Sequence, residues 1–153
     1  MQFTRASDYA VRVLAYLMNA NGSVSRSQGI AAATGIPESF LAKILGQLTR
    51  AGMVRSHRGS RGGFSLAADA RSLSLLEVVE AMEGPLRVNL CATPEVCSYI
   101  EKCPIQKAWA DAESSIRESL RSSKIADLAR QCSDVHVFQP AAGELEAHAA
   151  FKD

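Results

Sequence analysis

Three cysteines stand at equal spacing in the stretch CATPEVCSYIEKC: Cys91, Cys97 and Cys103, each separated from the next by five residues. Thiolates are soft ligands that suit iron–sulfur clusters, zinc or copper(I), and three on one short segment can wrap one face of a cluster. Zinc sites more often carry paired Cys-x2-Cys knuckles, which this segment lacks. Reduced cysteines with only a packing role are the plain alternative. Pro94, Ser98 and Lys102 give the segment the composition of exposed chain, however, where inert buried cysteines are uncommon. The favoured reading is the ligand loop of an iron–sulfur cluster. The fourth cysteine, Cys132, is isolated in the sequence.

A cluster needs a scaffold, and 153 residues of 47% hydrophobic composition suffice for one core or two small ones. No stretch approaches the ~18 to 20 apolar residues of a membrane span, and MQFTRASDYAV lacks the basic-then-apolar pattern of a signal peptide. The expected compartment is the cytoplasm, with no membrane partner. Reducing conditions there disfavour disulfides and favour metal or redox roles for clustered cysteines.

The charge is unevenly distributed. Met1 to Phe64 carries eight basic residues against two acids, a net +6, and the remainder carries nine against fourteen, a net −5, which together give the chain's +1. A basic half joined to an acidic half suggests nucleic-acid contact confined to one end.

The basic half has a recognisable order. Ala10, Val13, Leu14 and Leu17 form the stripe of an amphipathic helix that Asn21-Gly22 ends, and Asp8 and Arg12 share a face away from that stripe. Ser25-Arg-Ser-Gln28 fits a capping box opening a short second helix that stops at Gly35. Pro37 suits the first turn of a third helix, whose Leu41, Ile44, Leu45 and Leu48 point inward while Ser39, Lys43, Gly46 and Arg50 fall opposite. The tight turn Thr34-Gly-Ile-Pro37 makes the pair a helix-turn-helix, the second helix being the one that enters the major groove.

Met53-Val54-Arg55 and Phe64-Ser65-Leu66 flank the Gly- and Arg-rich stretch His57 to Gly63, which predicts a β-hairpin, the wing of a winged helix. Ser39, Phe40, Lys43 and Arg50 on the third helix, Arg58 and Arg61 at the wing tip, and Ser25 and Gln28 before the second helix are the residues expected to meet DNA. His57, His136 and His148 are expected to be surface histidines.

Ser74-Leu-Leu-Glu77 is a second capping box, opening a helix with Leu75, Leu76, Val79 and Met82 inward and Gly84-Pro85 at its end. From Pro104, Ile105, Trp109, Ala112, Ile116 and Leu120 mark a long amphipathic helix, and 123–131 a short one that packs back. A reader of palindromic sites needs two copies about 34 Å apart, so residues 104–122 are expected to dimerise.

The fold class is therefore mainly α with a small β-hairpin wing: a winged helix-turn-helix domain over 1–84, a cluster-binding loop over 85–103, a dimerisation helix with a short packing helix over 104–131, and a poorly ordered tail over 132–153.

MQFTRASDYAVRVLAYL, GIPESFLAKILGQLTRAGMVRSHRGSRGGFSLA, SLLEVVEAMEGP and the three-cysteine loop followed by CPIQKAWADAESSIRESL together resemble the IscR/NsrR/RirA family of iron–sulfur winged-helix regulators, over residues 1 to about 131. The resemblance implies a bacterial homodimer that binds double-stranded operator DNA, holds one cluster per subunit and mostly acts as a repressor. It makes Cys91, Cys97 and Cys103 the three protein thiolate ligands.

IscR-like members place a histidine three residues after the last cysteine, where this chain has Gln106. NsrR-like members carry an aspartate in a TDYALR-like motif, matched here by SDYAVR, which puts Asp8 in the role of fourth ligand, supplied by the partner subunit to a 4Fe–4S cluster. A 2Fe–2S cluster is the alternative.

The leading function is a cluster-sensing regulator responding to nitric oxide, redox stress or iron status. A cluster-free or thiol-switch regulator of the same fold is the alternative. An electron-transfer or redox enzyme is the third class, disfavoured because the chain has no nucleotide-binding Gly-rich strand-to-helix motif, no paired acid-base residues and no second cofactor signature; no small-molecule substrate is expected.

Overall fold

The computed structural model describes residues 3–89 and 103–133. Six helices and one hairpin follow in order: α1 (Arg5–Asn19), α2 (Ser27–Thr34), α3 (Glu38–Arg50), β1 (Val54–His57), β2 (Gly63–Leu66), a short 3₁₀ helix (Ala68–Ser72), α4 (Leu75–Glu83), α5 (Pro104–Ser122) and α6 (Ile125–Ser133). The poorly ordered tail expected over 132–153 falls, from residue 134 on, outside the described residues, and α6 itself runs to Ser133.

α1 is the centre of the core. Its predicted stripe, Ala10, Val13, Leu14 and Leu17, is fully buried, and it meets Ile30 of α2, the predicted inner face of α3, Val78 of α4 and Ile125 of α6 in one cluster. The basic helix-turn-helix and α6 thus share a single core. Burying an aliphatic side chain of this size stabilises by about 1.5–3 kcal/mol, so Ile125 anchors α6 firmly.

α2 ends where Gly35 takes a left-handed conformation, φ 68°, and its N–H returns to the Ala31 carbonyl at 2.9 Å. Pro37 then caps α3. A left-handed residue here is what turns the chain between the two helices, and glycine adopts it without steric cost.

The hairpin pairs Val54 with Leu66 through His57 with Gly63. Ser25 joins it: its N–H donates to the Phe64 carbonyl and its carbonyl accepts from the Phe64 N–H, both at 2.8 Å. Ser25-Arg-Ser-Gln28 therefore forms no capping box; Arg26 is the N-cap of α2 and no side chain caps it. The Ser25 backbone approaches Gly63 so closely that a Cβ at 63 would collide with the Ser25 carbonyl, which is why glycine stands there.

The second capping box forms as expected, with the Ser74 hydroxyl accepting from the Glu77 N–H at 3.3 Å and the Ser74 N–H donating to the Glu77 carboxylate at 2.7 Å. The inner face of α4 is rotated from the expected one: Leu76, Val78 and Val79 are buried, whereas Leu75 and Met82 are half-buried. The chain returning from α5 bridges to the start of α4, Leu75 N–H to Ser123 carbonyl and Ile125 N–H to Leu73 carbonyl, and this pairing seats Ile125 in the core.

Candidate nucleic-acid interface and metal site

On α3, Ser39, Phe40, Lys43 and Arg50 are exposed opposite the buried Leu41, Ile44, Leu45 and Leu48. Arg58 and Arg61 are exposed at the hairpin tip, and Gln28 is exposed in the first turn of α2, while Ser25 is half-buried with its backbone committed to Phe64. Among the described residues none of Lys43, Arg50, Arg58 and Arg61 has a carboxylate partner. Their charge is left to the outside, as a phosphate-binding face requires. Arg26 adds a link that no local pattern announced: its Nη2 donates to the Ser60 carbonyl at 3.4 Å, tying the entry of α2 to the wing tip.

Phe40 is 53% exposed and meets Tyr9 of α1 edge-on, ring centroids 6.4 Å apart at 71°. The Arg12 guanidinium lies over the same Tyr9 ring, 5.9 Å from its centroid, and binds the Asp8 carboxylate at 2.9 Å. Asp8, Arg12, Tyr9 and Phe40 thus form a continuous contact chain from the first turn of α1 to the first turn of α3. The helical spacing of Asp8 and Arg12 foretold the first contact, but the aromatic pair joins residues thirty-one positions apart and no periodicity signals it.

Cys91 and Cys97 lie outside the described residues. Cys103 is a half-buried free thiol at the N-cap of α5, and Cys132 is a half-buried free thiol on α6. Gln106, where a histidine ligand would stand in IscR-like members, lines a cleft with Asn89, Trp109 and Arg117. Among the described residues no three His, Cys, Asp or Glu side chains converge as a metal site. The donors present are a thiol at the start of α5 and a carboxylate at the start of α1; with two further thiols they would make a set suited to iron.

Both flanks of the cysteine segment are pinned. Glu80 of α4 accepts from the Leu86 N–H at 3.0 Å and from Arg117 of α5 at 2.8 Å. Glu113 of α5 accepts from the Val88 N–H and from Arg87, both at 3.1 Å. Burial works against the charge of Glu80, but the Leu86 N–H and the Arg117 guanidinium outweigh it and hold its carboxyl below the ordinary value. Glu83 behaves alike: burial raises it, and donors from Ser7 and Thr4 bring it down further than burial lifts it.

α5 has no fully buried side chain, and Ile105 and Trp109, 65% and 44% exposed, leave the start of its apolar seam open. No helix among the described residues is long and apolar enough to cross a membrane.

A helix-turn-helix followed by a hairpin wing, with unpaired basic groups on the third helix and the wing tip, is the architecture of a winged-helix transcriptional regulator. Residues 3–131 match the family model described as Rrf2, iron-dependent transcriptional regulator, and the chain belongs to that family. It is 33% identical over 141 residues to Rv1287 of Mycobacterium tuberculosis, which bears the designation HTH-type transcriptional regulator, covering 91% of this chain and 88% of the relative. It is 36% identical over 132 residues to the protein aau3 of Rhizobium meliloti, covering 85% and 86%.

Solved structures share the fold. CymR, the global cysteine regulator of B. subtilis, superposes with a TM-score of 0.67 at 21% identity, covering 86% of this chain and 98% of that one. IscR of T. potens gives 0.65 at 24% identity, covering 95% and 96%. The chain is a transcriptional regulator, and regulators of this family bind DNA.

Proposed function

We propose that the chain is a cytoplasmic homodimeric repressor whose operator affinity follows the state of one iron–sulfur cluster per subunit. Cys91, Cys97 and Cys103 would hold the cluster, with Asp8 of the partner subunit as fourth ligand and 4Fe–4S as the favoured form. When bound, such a cluster supplies a centre that reacts with oxidants or nitric oxide and that depends on iron supply.

The observation that carries the reading is the contact chain Asp8, Arg12, Tyr9, Phe40. A carboxylate engaged with iron no longer neutralises Arg12, and Arg12 rests on the ring against which Phe40 of the reading helix packs. Asp8 would hold one end of this chain and Phe40 would meet DNA at the other. The open seam at Ile105 and Trp109 supports pairing of two copies along α5. The half-buried Gln106, whose amide is a poor iron ligand, supports a fourth ligand from elsewhere.

The test is operator affinity of anaerobically prepared protein, wild type against Asp8→Asn. The expected change is roughly 5- to 150-fold, the size of ordinary coupling between two sites. Equal affinities with equal iron content would remove Asp8 from the sensing route.

A further inference from the structure

A cleft of about 350 Å³ lies behind the wing, between the end of α1, the two strands of the hairpin and the 3₁₀ helix. This is within the range of ligand clefts, roughly 300–1,000 Å³. Met18 and Gly22 form one wall, Arg55, His57 and Ser65 another, and Arg71 a third; among the described residues no acidic side chain lines it. Arg55 and His57 share the cleft because alternate residues of a strand face the same side.

The His57 Nε2 is held by the Ser65 hydroxyl at 2.8 Å, which fixes the ring and leaves Nδ1 for another partner. The described ion pairs seat Arg12, Arg87, Arg117, Arg121 and Arg130 each on a carboxylate. Arg55 and Arg71 have no such partner among the described residues, although both line one cleft. Two guanidiniums around one space repel a cation and match an oxyanion, which a guanidinium can grip through two parallel N–H bonds, and the imidazole adds a ring nitrogen beside them.

We infer that this cleft is an oxyanion site that takes a phosphate group between Arg55, His57 and Arg71. The group comes either from a small phosphate compound or from the operator backbone beside the wing. Neither a cysteine nor any of the expected reading residues lines the cleft.

The experiment uses full-length protein and the double variant Arg55→Gln/Arg71→Gln, which keeps the core because both arginines are exposed. Inorganic phosphate is titrated at constant ionic strength while the arginine and histidine side-chain signals are followed by NMR. Operator binding is measured against salt for both proteins. Saturable shifts at Arg55, Arg71 and His57 in the wild type, with the His57 shift lost in the variant and an unchanged salt slope, assign the site to a free phosphate compound. No saturation, with a slope shallower by about 2 units at roughly 0.9 per neutralised phosphate, assigns it to the operator backbone. Neither a saturable shift nor a shallower slope overturns the inference.

Discussion

Glu83 and Thr4, 79 positions apart, are joined by two hydrogen bonds: the Thr4 N–H and hydroxyl donate to the Glu83 carboxylate at 2.8 and 3.0 Å, and the Ser7 hydroxyl donates to the same oxygen. The last residue of α4, where the chain turns toward the cysteines, therefore holds the start of α1, which carries Asp8. Replacing Glu83 with alanine should cost about 1 kcal/mol of stability, the size of a partly exposed hydrogen-bonded carboxylate, read by urea unfolding.

The same contact predicts a pH dependence. Glu77, Glu80 and Glu83 all have carboxyls held below the ordinary value, Glu77 chiefly through the Ser74 hydroxyl. A depressed folded pKa means the stabilisation is present above the unfolded value, about 4.3, and is lost as pH falls through the folded one. The melting temperature should therefore drop as pH is lowered from 5 to 3. Glu83→Ala should lose less over that interval, having one such group fewer, and an equal or larger loss would contradict the assignment.

Ser74 and Ser25 open stretches of the same local pattern but differ in use, and substitution should separate them. Ser74→Ala removes a formed cap and should cost about 1 kcal/mol. Ser25→Ala should stay within about 0.5 kcal/mol, because only the Ser25 backbone is engaged. Gly63→Ala should cost more than either, its Cβ being driven against the Ser25 carbonyl. Equilibrium unfolding of the three variants checks this ranking.

The contrast between the two serines marks what was legible in the sequence. The stripes of α1 and α3, Gly35 and the Ser74 box are local, and the residues that encode them also form them. The Ser25 box failed because Phe64, far along the chain, recruits its backbone into the sheet. The α4 face turned toward Val78 because α1, α5 and α3, which pack against it, decide which side is covered. For the site, cysteine spacing and the resemblance of SDYAVR are what propose a cluster, whereas the Glu83 clamp and the Tyr9–Phe40 contact are long-range and have no local signature.

Lys43→Ala or Arg61→Ala should weaken operator binding and make its salt slope shallower by about 0.9 for each phosphate that is no longer neutralised, with unchanged melting temperature. Unchanged affinity and slope in both would remove these side chains from the DNA face.

Trp109→Asp should convert a dimer to monomers in sedimentation equilibrium while helix content is retained, because the indole is not buried within the chain. A variant that remains dimeric at micromolar concentration would place the interface elsewhere.

The most direct measurement is the iron and sulfide content of anaerobically purified protein, with its visible absorption and Mössbauer spectrum, for wild type and for Cys91→Ala, Cys97→Ala and Cys103→Ala. The expected result is about four irons and four sulfides per chain, a 4Fe–4S spectrum, and disappearance of the colour in each variant. Colourless, iron-free wild-type protein that still binds its operator, or full colour in all three variants, would contradict a cluster held by these cysteines.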